Sequence, residues 1–233
     1  MIPFHFSQIS KGDKQYSSYM EEIFRIRFKV YCEEWGFEDP TAYPDGMERN
    51  EFDEKSEHFV IQSTHDNSII GTARVIFPSE LGYAVTKNCL IDPMLHGQLL
   101  SGWKEARIGE VSRLAISKEY RKRIEDNVLS GLSSDLPDVN SHEHEKRKCN
   151  YVHEFYKYLL FQSMELGLTH WYVAMKRGLY ILLKRVGMVF HPIGPEIEYH
   201  GLRTPYLGSL REIREGMLQK DPNCFDFIKD LTK

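Results

Sequence analysis

The chain has 233 residues, 41% hydrophobic and 27% charged, enough to bury one sizeable core with an ordinary globular composition. Its net charge of -4 gives no general attraction to nucleic acid, and no apolar run reaches the length of a membrane-spanning helix. The opening Met1-Ile2-Pro3-Phe4-His5 lacks signal-peptide character, and Cys32, Cys89, Cys149 and Cys224 form no C-x-x-C pair, so a cytoplasmic protein with reduced thiols is expected.

Within Tyr16 to Trp35, Tyr19, Met20, Ile23, Phe24, Phe28, Val30 and Tyr31 recur at helical spacing, with Arg25, Arg27 and Lys29 interspersed. Glu38 to Glu57 is polar and contains proline, which predicts a loop. His58 to Gln62 and Ile69 to Phe77 read as strands joined by His65-Asp66-Asn67-Ser68, a run with hairpin-turn chemistry. A looser stretch containing Pro93 and several glycines leads to a strand at Ile108 to Ile116. Residues 124–148, with Ser130-Gly131, Pro137 and the charged run His142 to Lys148, read as a flexible insertion. Tyr151 to Leu166 is predicted helical, with Val152, Phe155, Tyr156, Leu159, Leu160 and Ser163 on its buried side. Trp171 to Met175 is a strand, and Leu179 to Val186 a helix ended by Gly187. Val189-Phe190 and Ile197-Glu198-Tyr199 read as the last strands, followed by a helical tail over 208–233. The sum is one α+β domain over 1–233, an α/β sandwich with a mixed central sheet flanked by helices.

The strand Ile108-Gly109-Glu110-Val111-Ser112-Arg113-Leu114-Ala115-Ile116 carries a carboxylate, a hydroxyl and a guanidinium among apolar residues. Charge in a strand interior is costly unless paired or put to use. Arg27, Glu48, Asp53 and Arg74, all upstream, are candidate partners. Such a site suits an enzyme that deprotonates an amine and transfers an acyl group to it.

The order of elements, together with four sequence blocks, resembles the acyl-homoserine-lactone synthase family. Those blocks are Arg27-Phe28-Lys29-Val30-Tyr31 with Trp35 nearby, the acidic loop Glu48-Arg49-Asn50-Glu51-Phe52-Asp53, Gly71-Thr72-Ala73-Arg74, and Glu110-Val111-Ser112-Arg113. The family's fold is GNAT-like. Met175 to Leu179, Gly187, Ile193-Gly194-Pro195 and the run Tyr199 to Tyr206 look like a sister branch, the N-acyl amino acid synthases and the acyltransferases associated with exosortase (PEP-CTERM) systems. Four departures matter. Asn50 stands where lactone synthases have an aspartate, and Trp35 lies two residues closer to Arg27 than in those enzymes. Both count against S-adenosylmethionine as acceptor. Lys118 to Arg123 contains no glycine, unlike the usual GNAT pyrophosphate loop, and Leu183 replaces a tyrosine general acid before Gly187-Met188. Both count against ordinary acetyl-CoA chemistry.

The resemblance implies an N-acyltransferase that moves a fatty acyl group to a small amine, an amino acid being the favoured acceptor. The donor would be a phosphopantetheine thioester on acyl carrier protein or CoA, with no tightly bound cofactor. Glu110 would act as general base, with Ser112 and Arg113 beside it in the catalytic strand. A scaffold role for Glu110, paired to Arg74 or Arg113, is the plainer alternative. Backbone N–H groups at Leu114, Ala115 and Ile116 would serve the thioester oxygen if the strand splays there. Arg27, Tyr31, Trp35, Glu48, Asp53 and Arg74 would shape the acceptor pocket; otherwise the arginines form an ordinary ion-pair network. Lys118, Arg121, Lys122 and Arg123 form a basic run suited to an acidic carrier protein, or simply a solvated surface. His142-Glu143-His144-Glu145 and His153 lack convincing ligand spacing, so no metal is expected. Phe155, Tyr156, Phe161, Trp171 and Tyr172 fill the core or line an acyl tunnel. The rivals are a lactone synthase using S-adenosylmethionine, an ordinary CoA-dependent acetyltransferase, and a non-catalytic acyl or carrier-protein sensor.

Overall fold

The computed structural model describes residues 4–118, 120 and 151–226. In chain order it shows β1 (Phe4–Ile9), α1 (Tyr16–Phe28), β2 (Ser56–Ser63), β3 (Ile69–Ile76), α2 (Ala84–Asn88), α3 (Pro93–Leu100) and β4 (Ile108–Ile116). Then follow α4 (Tyr151–Glu165), β5 (His170–Met175), α5 (Arg177–Arg185), β6 (His191–Pro192), β7 (Ile197–Glu198), β8 (Leu202–Ser209) and α6 (Leu210–Lys220). The strands lie in the order β1-β2-β3-β4-β5-β8-β6, with β7 pairing to β8. β4 and β5 are parallel, whereas β8 runs antiparallel to β5, β6 and β7. This is the mixed sheet with flanking helices that the pattern of elements predicts.

The residues group into two compact units. One holds Met1–Glu48, Phe59–Thr72 and Ala115–Lys157; the other holds Arg49–His58, Ala73–Leu114 and Tyr158–Lys233.

In the first unit, α1 buries Met20, Ile23, Ile26 and Arg27, a helical stride that ends on a charged group. The helix then widens into a π-helical turn over Lys29–Glu34, where the sequence predicts continuous α-helix. Ile9, Met20, Ile23 and Val60 form one core cluster, and Ile26, Val30 and Ala115 another. The expected turn between β2 and β3 is present. Asp66 Oδ1 accepts from the Ser68 N–H at 3.1 Å and from its hydroxyl at 2.8 Å, while Asn67 takes a φ of 58°.

The second unit has a core of Val85, Cys89, Ile108, Tyr172, Ile193 and Leu207. Trp171, only 1% exposed, donates its indole N–H to Ser163 Oγ at 3.0 Å, tying β5 to α4. Gly187 ends α5 as predicted. Its φ is +87°, and a Cβ there would meet the Gly216 carbonyl oxygen at 2.2 Å, so glycine is required twice over.

Four elements depart from the sequence reading. β1 was not foreseen, and the looser stretch before β4 contains the short helices α2 and α3. The run after Tyr199, to which the sequence reading assigns no strand, is β8, whose Pro205 and Gly208 disguise it and whose extended state comes from pairing with β5 over six positions, His170 with Ser209 through Met175 with Thr204. The insertion expected at 124–148 lies outside the described residues, as do Arg121, Lys122, Arg123 and His142 to Glu145.

Candidate functional site

The polar strand β4 changes character along its length. Ile108, Gly109 and Glu110 pair with His170, Trp171 and Tyr172 of β5. Beyond that point the two strands share no further ladder pair among the described residues, while β5 continues against β8 through Val173, Ala174 and Met175. The segment Val111–Leu114 therefore leaves the β5 ladder immediately after Glu110. Within it Arg113 has a φ of 51°, a left-handed conformation that costs a side-chain-bearing residue energy and redirects the strand.

Glu110 is 4% exposed, and its Oε2 accepts the Val85 N–H at the start of α2 at 2.9 Å. Burial drives its carboxyl from an ordinary 4.5 up to about 7. The N–H groups of Val85 and Ala84 and the guanidinium groups of Arg74 and Arg113 pull the other way without cancelling that cost. Tyr172 is the ladder partner of Glu110, and the Tyr83 ring stands edge-on to it with centroids 5.1 Å apart. The Tyr83 hydroxyl donates to the Ile108 carbonyl at 2.6 Å, and the Tyr172 hydroxyl shares a hydrogen bond with the His96 ring. Burial pushes both phenols up to about 12, so both stay protonated at neutral pH.

Arg74 on β3 is 1% exposed and joins three groups. Its Nε donates to Ser112 Oγ at 3.1 Å, and its Nη1 donates to Asn50 Oδ1 at 2.7 Å and to Asp53 Oδ1 at 2.8 Å. The second Asp53 oxygen accepts the Asn50 N–H at 2.8 Å, and the His58 ring lies 3.2 Å from the Asp53 carbonyl. The buried Phe52 ring lies 5.9 Å from the guanidinium carbon of Arg74. Glu110, Ser112, Arg113, Arg74 and Asp53 are thus gathered in the second unit.

Leu114 also lies in the second unit, and the other described site residues belong to the first. Arg27, fully buried, meets Glu48 with Nε 2.5 Å from Oε2. Trp35 is exposed and stacks on Phe37 at 5.7 Å, with the Tyr31 ring 6.3 Å from the same phenylalanine. Ala115 and Ile116 are buried, and Lys118 is exposed, its backbone N–H donating to Glu34 at 3.2 Å. The structure pairs Arg27 with Glu48 and Arg74 with Asp53, an apportionment the sequence leaves open. Sequence reasoning missed Val85, Tyr83 and His96 and read Tyr172 only as core or tunnel wall. The alternation of β5 could have placed Tyr172, but nothing local marks the others.

Among the described residues, no group of three or more His, Cys, Asp or Glu is arranged to hold a metal ion. None of the described helices is long and apolar enough to cross a membrane.

Residues 26–130 match the family model of the acetyltransferase (GNAT) domain. No curated protein matches by sequence. Among solved structures, the chain resembles the AHL synthase LasI with a TM-score of 0.56 at 18% identity, over 92% of this chain and 95% of that one. FeeM, an N-acyl amino acid synthase from uncultured soil microbes, aligns with a TM-score of 0.57 at 12% identity, over 92% of this chain and 94% of that one. BjaI, a CoA-dependent acyl-homoserine lactone synthase solved with SAM and isopentyl-CoA, gives 0.56 at 17% identity, over 97% and 90%. At these identities the likeness carries the fold, which is GNAT-like and shared with both kinds of synthase.

Proposed function

We propose that this chain is a cytoplasmic N-acyltransferase that moves a fatty acyl group from a phosphopantetheine thioester, on acyl carrier protein or CoA, to the amino group of a small acceptor, an amino acid. The observation that carries this reading is Glu110, a buried carboxyl raised to about 7 at the last rung before β4 and β5 part. A carboxylate of ordinary pKa is a weak base toward an ammonium group; one near 7 is matched to working pH. In this reading Glu110 takes a proton from the acceptor ammonium. The freed nitrogen forms a bond to the thioester carbonyl carbon, whose π electrons move onto oxygen. Collapse of that intermediate breaks the C–S bond, the nitrogen gives up its second proton, and the departing thiolate, a good leaving group that needs no dedicated acid, takes up a proton from water.

The remaining roles belong to the same proposal. N–H groups of Leu114, Ala115 and Ile116 would receive the oxyanion, and Ser112 with Arg113 would hold the strand's polar edge. Asp53 and Arg74 would frame the acceptor, and Lys118, Arg121, Lys122 and Arg123 would meet the acidic carrier protein. The fold shared with LasI and BjaI supports a second reading, lactone synthesis from S-adenosylmethionine.

A mass-spectrometric product assay tests both. The purified chain is given acyl carrier proteins and CoA thioesters of several acyl lengths, the twenty amino acids and S-adenosylmethionine, with Glu110→Gln in parallel. An N-acyl amino acid made by wild type and lost at least about 100-fold in the variant is the expected result. A lactone would replace the first reading by the second. Thioester binding without turnover would mark a sensor.

A further inference from the structure

We infer that Asn50 sets the chemical class of the acceptor, through a side-chain N–H₂ group placed to receive an oxygen: the site takes an amine that bears a carboxylate and no second cationic centre. The inference rests on the acyl-transfer reading and names its substrate class.

The two ends of an asparagine amide have nearly the same shape, and hydrogen bonds decide which way it points. Asn50 Oδ1 accepts from Arg74 Nη1 at 2.7 Å and from the Phe52 backbone N–H at 3.2 Å. Both partners are donors with nothing to accept, so a flipped amide would set N–H₂ against two N–H groups. The residue is also held from behind. Its backbone N–H donates to Asp53 Oδ2 at 2.8 Å, while Asp53 Oδ1 receives Arg74 at 2.8 Å. Asn50, Asp53 and Arg74 close a ring of hydrogen bonds that leaves the side chain one orientation. Nδ2 then points away from Arg74, and among the described residues it makes no hydrogen bond, on a residue only half buried.

Position gives this donor its meaning. The guanidinium that orients Asn50 also bonds Ser112 on β4 through Nε at 3.1 Å and acts electrostatically on Glu110. Asn50 is therefore separated from the strand of the proposed base by the width of one guanidinium. The charges of Arg74 and Asp53 offset each other, so an acceptor meets a neutral donor at Asn50. A neutral N–H₂ favours ligand oxygen, most of all a carboxylate, and offers no counter-charge to a sulfonium or second ammonium.

Asn50→Asp is the test, because it is isosteric. It keeps the oxygen that Arg74 and Phe52 require and turns only the outward N–H₂ into a negative oxygen. Each acylated amino acid is compared with its own amide. The acid's kcat/KM is expected to fall about 10- to 100-fold, mainly through KM, while the amide's changes by less than about threefold. S-adenosylmethionine, titrated calorimetrically, is expected to bind the variant more tightly than wild type. An equal loss for acid and amide, or no loss for the acid, overturns the inference. If wild type acylates no amine, the acyl-transfer reading has failed on its own, and calorimetric titration of the twenty amino acids and their amides still decides. A wild-type preference for an acid over its amide, reversed in Asn50→Asp, supports the inference; no preference ends it.

Discussion

The two halves of β4 differ in burial, pairing and backbone conformation. Ile108, Gly109 and Glu110 are buried and laddered to β5, whereas Val111 to Leu114 are half-buried, leave that ladder and contain a left-handed Arg113. The regular half is fixed by packing: a Cβ on Gly109 would sit 2.5 Å from Leu168 Cδ1 and 3.1 Å from Val75 Cγ1. The irregular half is fixed by polar groups, with Ser112 bonded to Arg74 and through it to Asp53 and Asn50. Glu110 stands at the junction, buried like the first half and electrostatically tied to the second. A fold can keep a carboxyl out of water only where packing is tight, and can approach it with a substrate only where packing gives way.

The sharpest way to break the contrast is to remove the cation that organises the irregular half. Arg74→Met takes the guanidinium away from the buried Asp53 carboxylate, and should cost about 3–5 kcal/mol in urea denaturation. Arg74→Met combined with Asp53→Leu should recover part of that loss but no activity, because Ser112 and Asn50 stay without their common donor. If the single variant loses less than about 1 kcal/mol, the network is not holding the strand.

At the junction itself the effect has the opposite sign. The folded Glu110 carboxyl titrates near 7 against an ordinary 4.5, so wild type loses stability as pH rises from 4.5 to 7 and holds that loss above 7. Glu110→Gln removes the ionising group and should be stabilised relative to wild type, by up to about 3 kcal/mol at pH 8 and hardly at all at pH 4. Thermal melts across that range check it. A gap that does not widen with pH would show that Glu110 titrates normally. If Glu110 is the general base, kcat/KM is expected to rise with pH through about 7 in a pH–rate profile.

Smaller changes separate packing from backbone strain. Gly109→Ala should cost about 1–3 kcal/mol through crowding against Leu168 and Val75. At Arg113 the informative comparison is Gly against Ala, since both delete the guanidinium and only Ala keeps the strain. The Gly variant should be more stable by about 1 kcal/mol, and equal stabilities would mean the left-handed turn is not held in solution.

Much of the site was legible because buried charge is conspicuous. A carboxylate, hydroxyl and guanidinium at Glu110, Ser112 and Arg113 interrupt an apolar strand, and Arg27, Glu48, Asp53 and Arg74 offered complementary charge. Their pairing was not legible, since Glu48 and Asp53 lie in one loop and either could have met either arginine. Tyr172 reads as core or tunnel wall in the sequence because periodicity reports burial and not neighbours. β8 escaped notice because Pro205 and Gly208 are poor strand formers in isolation. Its extended state is imposed by β5 on one side and by β6 and β7 on the other.

The sequence by itself determined the elements with strong local signals: the α1 stride through Met20 and Ile23, the Asp66–Ser68 turn, the Gly187 stop and a polar strand at Glu110. Those depend on contacts a few residues apart. Tertiary structure alone decided that β4 leaves β5 after Glu110, that Asn50 is turned by Arg74, and that Glu110 titrates near 7. Each depends on groups distant in the chain, because desolvation and hydrogen-bond partners are properties of a place in space.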